Sequence, residues 1–302
     1  MQQHRDVTMS SKRGIMALSV ASVSFGSASL FIRFAGELPA ASLSFYRLSI
    51  AALVMVVFGW ASGSLKRVEG SEVPLLIVSG MVLALHFLTY VFAVQKTTIA
   101  NATFLVNTSP VMLAAFSPLV LKEKTTNREI LGVCVAMFGV LLVSSVGNGF
   151  RSIGLGDLSA LASAFLLAIY TMIGRRARVN GLTTGSYTSY VYSVAALVSC
   201  AIALGSGANV FQTRSFESAI AILGLALVPT AMGHSLYNYS LGTVKALTAN
   251  LFPLMEPIIA SSLAIPLFNE IPTPIQVVGY ALILTSVILA VSAMLHTESL
   301  FA

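Results

Sequence analysis

Apolar runs of about 20 residues recur along the whole chain, and they constrain its fold more than any other feature. An α-helix rises about 1.5 Å per residue, so roughly 20 residues cross a hydrocarbon core about 30 Å thick. Only 9% of the 302 residues are charged, whereas soluble proteins average about 25%. Because lipid cannot hydrogen-bond an open backbone, each run must form a helix. The sequence therefore predicts an all-α integral membrane protein.

Ten such runs are separated by short connections that carry most of the charge. We predict transmembrane helices at residues 14–34, 40–60, 73–94, 101–121, 129–147, 155–174, 184–204, 217–240, 246–268 and 274–295. No small-residue cleavage site follows the first run, so we interpret it as a membrane span rather than a signal peptide. The connections leave no room for a soluble domain.

The positions of Lys and Arg predict the orientation, because cytoplasmic loops are enriched in both residues. With the N-terminus inside, twelve of the 17 basic residues fall on the cytoplasmic side and four fall outside. The cytoplasmic residues are Arg5, Lys12, Arg13, Lys66, Arg67, Lys122, Lys124, Arg128, Arg175, Arg176, Arg178 and Lys245. The outside residues are Arg33, Lys96, Arg151 and Arg214. Both termini are predicted to be cytoplasmic, and the net charge of +6 indicates topology rather than a nucleic-acid partner.

The chain also contains an internal repeat. A shift of 147 residues aligns identical residues without a gap: Tyr90 with Tyr237, Ala102 with Ala249, Pro110 with Pro257, Glu123 with Glu270 and Gly132 with Gly279. We predict two five-helix units, residues 14–147 and residues 155–295. Because each unit has an odd number of spans, the second unit is inverted in the membrane relative to the first.

Inverted repeats are a strong signature of secondary transporters, whose substrate binds near the middle of the membrane between the two halves. The alternative is a duplicated helical bundle without a transport role. An intramembrane enzyme is more distant, because the spans contain no HExxH motif, no GxSxG motif and no paired carboxylates. A sensory subunit would be expected to add a soluble domain.

The last part of each repeat resembles a known family. Residues 99–143, IANATFLVNTSPVMLAAFSPLVLKEKTTNREILGVCVAMFGVLLV, and residues 248–291, TANLFPLMEPIIASSLAIPLFNEIPTPIQVVGYALILTSVILAV, look like the paired EamA-type domains of the drug/metabolite transporter superfamily. The resemblance covers nearly the whole chain, although Phe25-Gly26 stands where the family commonly has Trp-Gly. It implies a ten-helix exporter or facilitator of small metabolites, often amino acids, in a bacterial inner membrane.

Glu256 is the most informative candidate site residue, because it lies roughly midway along the ninth span. An ionisable side chain at that depth is a functional hypothesis by default. Its carboxylate can bind a substrate ammonium group or exchange a proton. The alternative is a structural carboxylate that ties α-helices together. Its repeat partner is Ser109, so the acid is an asymmetric feature of a symmetric frame.

His and Tyr residues mark the third and eighth spans at helical spacing. His86 and Tyr90 are four residues apart, and so are His234 and Asn238, with Tyr237 beside them. Residues at this spacing share one helical face. Because Tyr90 and Tyr237 are repeat partners, the two faces are predicted to look towards each other, where rings can stack on or hydrogen-bond to a small organic molecule. The alternative is that the His residues are packing residues.

Four further side chains complete the predicted site. Arg47, in the second span, either binds a substrate carboxylate or reaches to the outer headgroups. Its position resembles that of an Arg often found in this span in the family. Asn107 and Asn250 either line the cavity or join helices. Tyr170, on the sixth span, is a weaker candidate of the same kind. Arg175 ends its span and is interpreted as an interface anchor.

The resulting hypothesis is an alternating-access transporter, without a cofactor or a metal site, for a small-molecule substrate such as an amino acid or a related amphiphilic compound. The resemblance to the family favours export as the direction of transport. Uptake, or the exchange of nucleotide sugars or other metabolites, remains an open alternative. Protons are a second candidate partner beside membrane lipid, and the protein is predicted to be a monomer or a homodimer in the bacterial inner membrane.

Overall fold

The computed structural model describes residues 2–36, 38–97, 99–145, 154–207, 215–268 and 271–300, and this part of the chain is helical, without strands. Ten of its helical segments are long and apolar enough to cross a membrane. They are α1 (Ser11–Phe34), α2 (Ala40–Ala61), α3 (Val73–Lys96), α4 (Asn101–Val120), α5 (Asn127–Ser145), α6 (Leu155–Val179), α7 (Thr184–Gly205), α8 (Phe216–Ser240), α9 (Ala246–Leu267) and α10 (Pro274–Met294).

All ten predicted spans are confirmed as helical segments. The largest difference is at α6, which ends at Val179 rather than near residue 174. The predictions that concern Arg151, Arg214 and Glu270 fall outside the described residues. The polar end of α6 therefore reaches one helical turn beyond its apolar run, and it carries Arg175 and Arg176 there.

Pairs of helices with small residues at their contacts form the frame. α2 packs against α7, α3 packs against α6 and α7, and α5 packs against α10. Where α5 meets α10, a Cβ atom added to Gly139 would lie 2.8 Å from the carbonyl oxygen of Gly279. A Cβ atom added to Gly279 would lie 2.7 Å from the carbonyl oxygen of Gly139. Only glycine permits two membrane helices to approach this closely. α5 and α10 thus join each other away from the polar centre.

Two segments are interrupted in the first half of the chain. α1 is divided between the helices Gln2–Phe25, which begins before the membrane segment, and Ala28–Phe34. α4 is divided between the helices Ile99–Val106 and Ser109–Val120. Pro110 follows the interruption in α4 and lacks an amide donor, which disfavours a continuous helix there. Each interruption leaves backbone groups outside the regular hydrogen-bond ladder.

Two segments are irregular in the second half. α8 contains the π-helix Ala226–His234, in which the Thr230 hydroxyl donates to the carbonyl of Leu225 at 2.8 Å. α9 contains a 3₁₀ turn, Phe252–Met255, which holds Pro253. Irregular backbone at membrane depth is tolerated where it lines a cavity or is buried in protein. Residues from all four irregular segments line one interior cavity.

Candidate functional site

The cavity has a volume of about 60 Å³. Its lining residues are Phe25, Ala28, Arg47, His86, Phe87, Tyr90, Val106, Asn107, Leu167, His234, Tyr237, Pro253 and Glu256. Most of these residues are buried, while Leu167, Pro253 and Glu256 are partly buried. The structure thus brings together seven of the ten predicted site residues, although they come from five different segments.

Arg47 is buried inside the bundle, with 2% of its surface exposed. Its Nε donates to the Thr230 hydroxyl at 2.5 Å, and its guanidinium carbon lies 3.7 Å from the centre of the Phe87 ring. This arrangement holds the planar group by a hydrogen bond at one edge and a cation–π contact on one face. Its Nη1 atom has no hydrogen-bond partner among the described residues. The side chain therefore presents an unused donor in the cavity wall instead of reaching to the membrane surface.

Glu256 places a carboxyl group in the wall of the same cavity. Tyr90 donates its hydroxyl to Oε1 of Glu256 at 3.1 Å, which joins α3 to α9. Glu256 is the first residue of the helix Glu256–Phe268, directly after the 3₁₀ turn. Free amide groups at a helix N-terminus favour an anion there. The cavity thus contains a fixed cation and a carboxyl group on different helices.

The two predicted histidines lie on one aromatic wall. Their ring centres are 6.4 Å apart, and the His234 ring lies 4.8 Å from Phe25 and 4.9 Å from Phe87. His86 Nδ1 lies 3.0 Å from the carbonyl oxygen of Ser163. A carbonyl only accepts, so this contact is a hydrogen bond when Nδ1 carries the proton, which leaves Nε2 as the acceptor. Nδ1 of His234 is buried and has no described partner.

Tyr237 forms the opposite side through a chain of hydrogen bonds. Its hydroxyl oxygen accepts from Nδ2 of Asn250 at 3.1 Å and lies 2.9 Å from the hydroxyl of Thr171. Asn250 in turn accepts from the Ser109 hydroxyl at 2.7 Å. This chain connects α8, α9, α6 and α4. It holds Tyr237 at the cavity wall from behind.

Tyr170, Asn238 and Asn250 are not among the lining residues, although all three are buried. Asn238 Nδ2 donates to the Tyr170 hydroxyl at 2.7 Å and to the carbonyl of His234 at 2.6 Å. The two amides therefore support His234 and Tyr237 from a second layer in this structure. Direct contact of these three residues with a substrate stays a prediction.

Several buried polar atoms around the cavity have no hydrogen-bond partner among the described residues. They include Nη1 of Arg47, Nδ2 of Asn107 and Nδ1 of His234, all on lining residues. Burial of a polar group without a hydrogen bond costs about 1–3 kcal/mol by mutational data. Because three such atoms gather at one cavity, they point to a polar molecule that supplies the missing partners.

Sequence reasoning did not identify Phe87, Thr230 and Ser163 as parts of this arrangement. A Phe or a Ser within a membrane span is common, so its identity carries no signal of depth or direction. Their positions relative to the predicted histidines do carry a signal, because Phe87 directly follows His86 and Thr230 lies one helical turn before His234. Contacts between helices far apart in sequence decided their roles.

A second polar cluster closes one end of the bundle. Arg175 Nε pairs with Glu123 Oε1 at 2.6 Å, and Arg175 Nη1 donates to the carbonyl of Leu241 at 2.7 Å. Lys245 Nζ lies 3.4 Å from the buried Glu129, which also accepts from the Thr248 hydroxyl at 3.1 Å. Arg175, which the sequence predicts to be an interface anchor, joins the α4–α5 connection to α6 and to the end of α8.

Two stretches of the chain, residues 12–145 and 154–292, match the model of the EamA-like transporter family. These stretches correspond to α1–α5 and α6–α10. A solved crystal structure superposes with a TM-score of 0.77 over 94% of this chain and 96% of that chain, at 17% identity. The likeness at this identity concerns the fold.

Several proteins that are similar to this chain in sequence are named as transporters or exporters. A protein described as an uncharacterized transporter of Archaeoglobus fulgidus is 26% identical, over 80% of this chain and 84% of the relative. The pseudopaline exporter of Pseudomonas aeruginosa is 24% identical, over 78% and 82%. A probable terminal-alkyne amino-acid exporter of Streptantibioticus cattleyicolor is 24% identical, over 82% and 83%. Since the family model matches most of the chain in both halves, this multi-pass membrane protein belongs to the EamA-like transporter family.

Proposed function

We propose that this transporter exports an amino acid or a related amphiphilic zwitterion by alternating access, and that the central cavity is its binding site. The observation that carries the proposal is the presence of Arg47 and Glu256 in one cavity wall. A buried charge is expensive unless it is paired. A ligand with both a carboxylate and an ammonium group would pair each of these side chains.

The two ends of such a ligand have matching partners. Nη1 of Arg47 has no protein partner and is available to a carboxylate, with which a guanidinium forms strong, charge-assisted hydrogen bonds. Glu256 receives a hydrogen bond from Tyr90 through one oxygen, and the residue is partly buried in the wall of the cavity. The rings of Phe25, Phe87 and His234 supply an apolar wall for the remainder of the molecule.

The size of the cavity supports a conformational cycle. At about 60 Å³, it is far smaller than the roughly 300 Å³ of an ordinary small-molecule site. A substrate therefore requires movement of the surrounding helices. The interruptions in α4 and α9 give two helices the freedom to bend at the level of the cavity, as discontinuous helices do in other secondary transporters.

The proposal includes two inverted five-helix repeats, residues 14–147 and 155–295, in a bacterial inner membrane with both termini in the cytoplasm. The charge distribution of the connections supports this orientation. Export is supported by the names of two relatives, one that exports pseudopaline and one described as an amino-acid exporter. A nucleotide-sugar carrier is less well supported, because Arg47 is the sole Lys or Arg among the lining residues described, and a diphosphate calls for several cations.

Counterflow in proteoliposomes tests the proposal. Vesicles that contain the purified full chain are loaded with unlabelled amino acid, and the entry of the labelled compound is measured for a panel of common amino acids. We expect at least one amino acid to exchange, and its N-acetyl derivative and its methyl ester to exchange at least tenfold more slowly, because each derivative removes one charge. If both derivatives exchange as fast as the parent compound, zwitterion recognition is excluded.

A further inference from the structure

A groove of about 330 Å³ lies between the end of α4 and the end of α6. It shares no lining residue with the central cavity. Its lining includes Lys122, Glu123, Arg175 and Arg176, together with the apolar side chains of Val120 and Val179. Three of these residues are cationic and one is anionic, so the groove combines positive charge with an apolar rim.

The single acid in the groove is already occupied. Glu123 Oε1 pairs with Arg175 at 2.6 Å, and Glu123 Oε2 accepts from the amide of Ala246 at 3.1 Å. Lys122 and Arg176 are exposed, and no side-chain ion pair or hydrogen bond engages either of them within the described residues. Two positive charges of the groove are therefore unmatched by the protein.

The backbone at Lys122 is the second indication. Its φ angle of 58° is positive, and Lys122 is the one non-glycine residue with a positive φ among the described residues. A side chain with a Cβ is disfavoured in this left-handed region, and such strain clusters at ligand-binding positions. Glycine would relieve the strain, but it would remove the ammonium group from the groove.

The apolar rim distinguishes a lipid from a soluble anion. Val120 is 52% exposed and Val179 is 57% exposed, and both are the last residues of membrane-spanning segments. Val120 precedes Lys122 and so lies on the membrane side of that cation, where an acyl chain can contact it, whereas Val179 follows Arg176 and lies one helical turn further out. Lys122, two residues after Val120, and Arg176, in the last turn of α6, lie at headgroup level, where basic pockets between helices bind anionic headgroups.

We propose that this groove binds one anionic phospholipid, with its phosphate group on Lys122 and Arg176 and its acyl chains along Val120. The bound phosphate also lies beside the Arg175–Glu123 pair, which ties α6 to the α4–α5 connection. The shared chemistry is that of a phosphate anion, and the membrane supplies it as a lipid.

Native mass spectrometry of the purified full-length protein tests the proposal. In one sample the protein is mixed with equal concentrations of phosphatidylglycerol and phosphatidylcholine. In a second sample it is mixed with phosphatidylglycerol and an equal concentration of sodium phosphate. We expect one phosphatidylglycerol to be retained in preference to phosphatidylcholine. Equal retention of both lipids, or displacement of phosphatidylglycerol by an equal concentration of sodium phosphate, would overturn the lipid assignment.

Matched variants locate the site. Replacement of Lys122 and Arg176 by Gln is expected to weaken phosphatidylglycerol retention roughly thirtyfold, from about fivefold per cation. The control replaces Lys66 and Arg67, which are exposed at the same end of the bundle next to the start of α7, and it should change retention less than twofold. Equal losses in both double variants would indicate a diffuse charge effect and contradict the groove.

A third variant separates binding from folding. Lys122→Gly relieves the positive φ angle, so its thermal stability should equal or exceed that of the wild type. Its phosphatidylglycerol retention should nevertheless fall about fivefold. A Lys122→Gly protein that retains the lipid like the wild type would exclude Lys122 from the site.

Discussion

Two tyrosines that the internal repeat pairs with each other, Tyr90 and Tyr237, meet different partners. Tyr90 donates directly to Glu256 at 3.1 Å. The repeat position of Glu256 in the other half is Ser109, and there Asn250 connects Ser109 to Tyr237 through bonds of 2.7 and 3.1 Å. The two positions that the repeat pairs therefore differ. Glu256 contacts Tyr90 directly, whereas Ser109 reaches Tyr237 through the neutral side chain of Asn250, an arrangement that we call the neutral bridge.

The two arrangements also differ in burial. Glu256 is partly exposed in the cavity wall, whereas Ser109 and Asn250 are 2% and 1% exposed. The bridge is closed within the protein, where a buried hydrogen bond between helices contributes to assembly. The acid keeps a surface that a ligand can reach.

The largest expected effect is at the acidic side. Glu256→Gln keeps the side-chain size and an oxygen that can accept from Tyr90, but it removes the charge. Because a hydrogen bond to a charged group is worth about 1.5–3 kcal/mol, we expect exchange of the best amino acid in proteoliposomes to fall by roughly tenfold to a hundredfold. The variant should elute and unfold like the wild type in detergent.

The same variant tests proton coupling. If Glu256 exchanges a proton during the cycle, an imposed proton gradient should no longer accelerate flux in Glu256→Gln. Flux that responds to the gradient as in the wild type would exclude Glu256 as the coupling group. Flux that responds to the gradient in neither protein would indicate an equilibrating carrier.

The cation of the cavity should show the next largest effect. Arg47→Lys retains a positive charge but loses the planar group that donates to Thr230 and lies on Phe87. Arg and Lys are not interchangeable at such a site. We expect the KM for amino-acid exchange to rise about tenfold, or about 1.4 kcal/mol. An unchanged KM would show that the substrate carboxylate binds elsewhere.

A change in the neutral bridge should affect stability instead. Asn250→Leu removes the bonds to Ser109 and Tyr237. Interhelical hydrogen bonds in membrane proteins average about 0.6 kcal/mol each, so the expected loss of stability is about 1 kcal/mol, measured by unfolding in detergent. Exchange should stay within threefold of the wild type. If Asn250→Leu lost as much exchange activity as Glu256→Gln, Asn250 would have a role in transport, and the predicted difference between it and Glu256 would be wrong.

The smallest effect is expected at Ser109. Ser109→Ala removes one hydroxyl and leaves Oδ1 of Asn250 without that donor, so stability should fall by about 0.6 kcal/mol. Ser145, at the end of α5 and bonded to the carbonyl of Leu142, provides a matched control in which Ala should have no measurable effect. Equal effects of the two replacements would argue against a specific bridge.

The position of the ten membrane segments could be predicted because hydrophobicity is a local property of the chain. The spans near 40–60 and 184–204 correspond to α2 and α7 within a residue at each end. The polar outliers Arg47, His86 and Glu256 were found by the same reasoning, since a polar group within an apolar run stands out without knowledge of its neighbours. They line one cavity.

The remainder of the candidate site could not be found in this way. Phe87 became a support for a cation because α2 places Arg47 above its ring. Tyr170 and Asn238 carry the same polar signal as His234, yet they lie behind the cavity wall. Polarity along the sequence therefore identified buried hydrogen-bonding groups, and it did not distinguish the groups that line a cavity from those that support it.

By itself, the sequence determined that the chain forms membrane helices, because an apolar run of this length must satisfy its backbone internally in lipid. It also determined which side chains are too polar to face lipid. The tertiary structure alone decided which of those side chains meet. The hydrogen bond from Tyr90 to Glu256 joins residues 166 positions apart, and the contact of Arg47 with Thr230 joins residues 183 apart. Such contacts depend on how helices cross and where they break, and no local pattern encodes these distances.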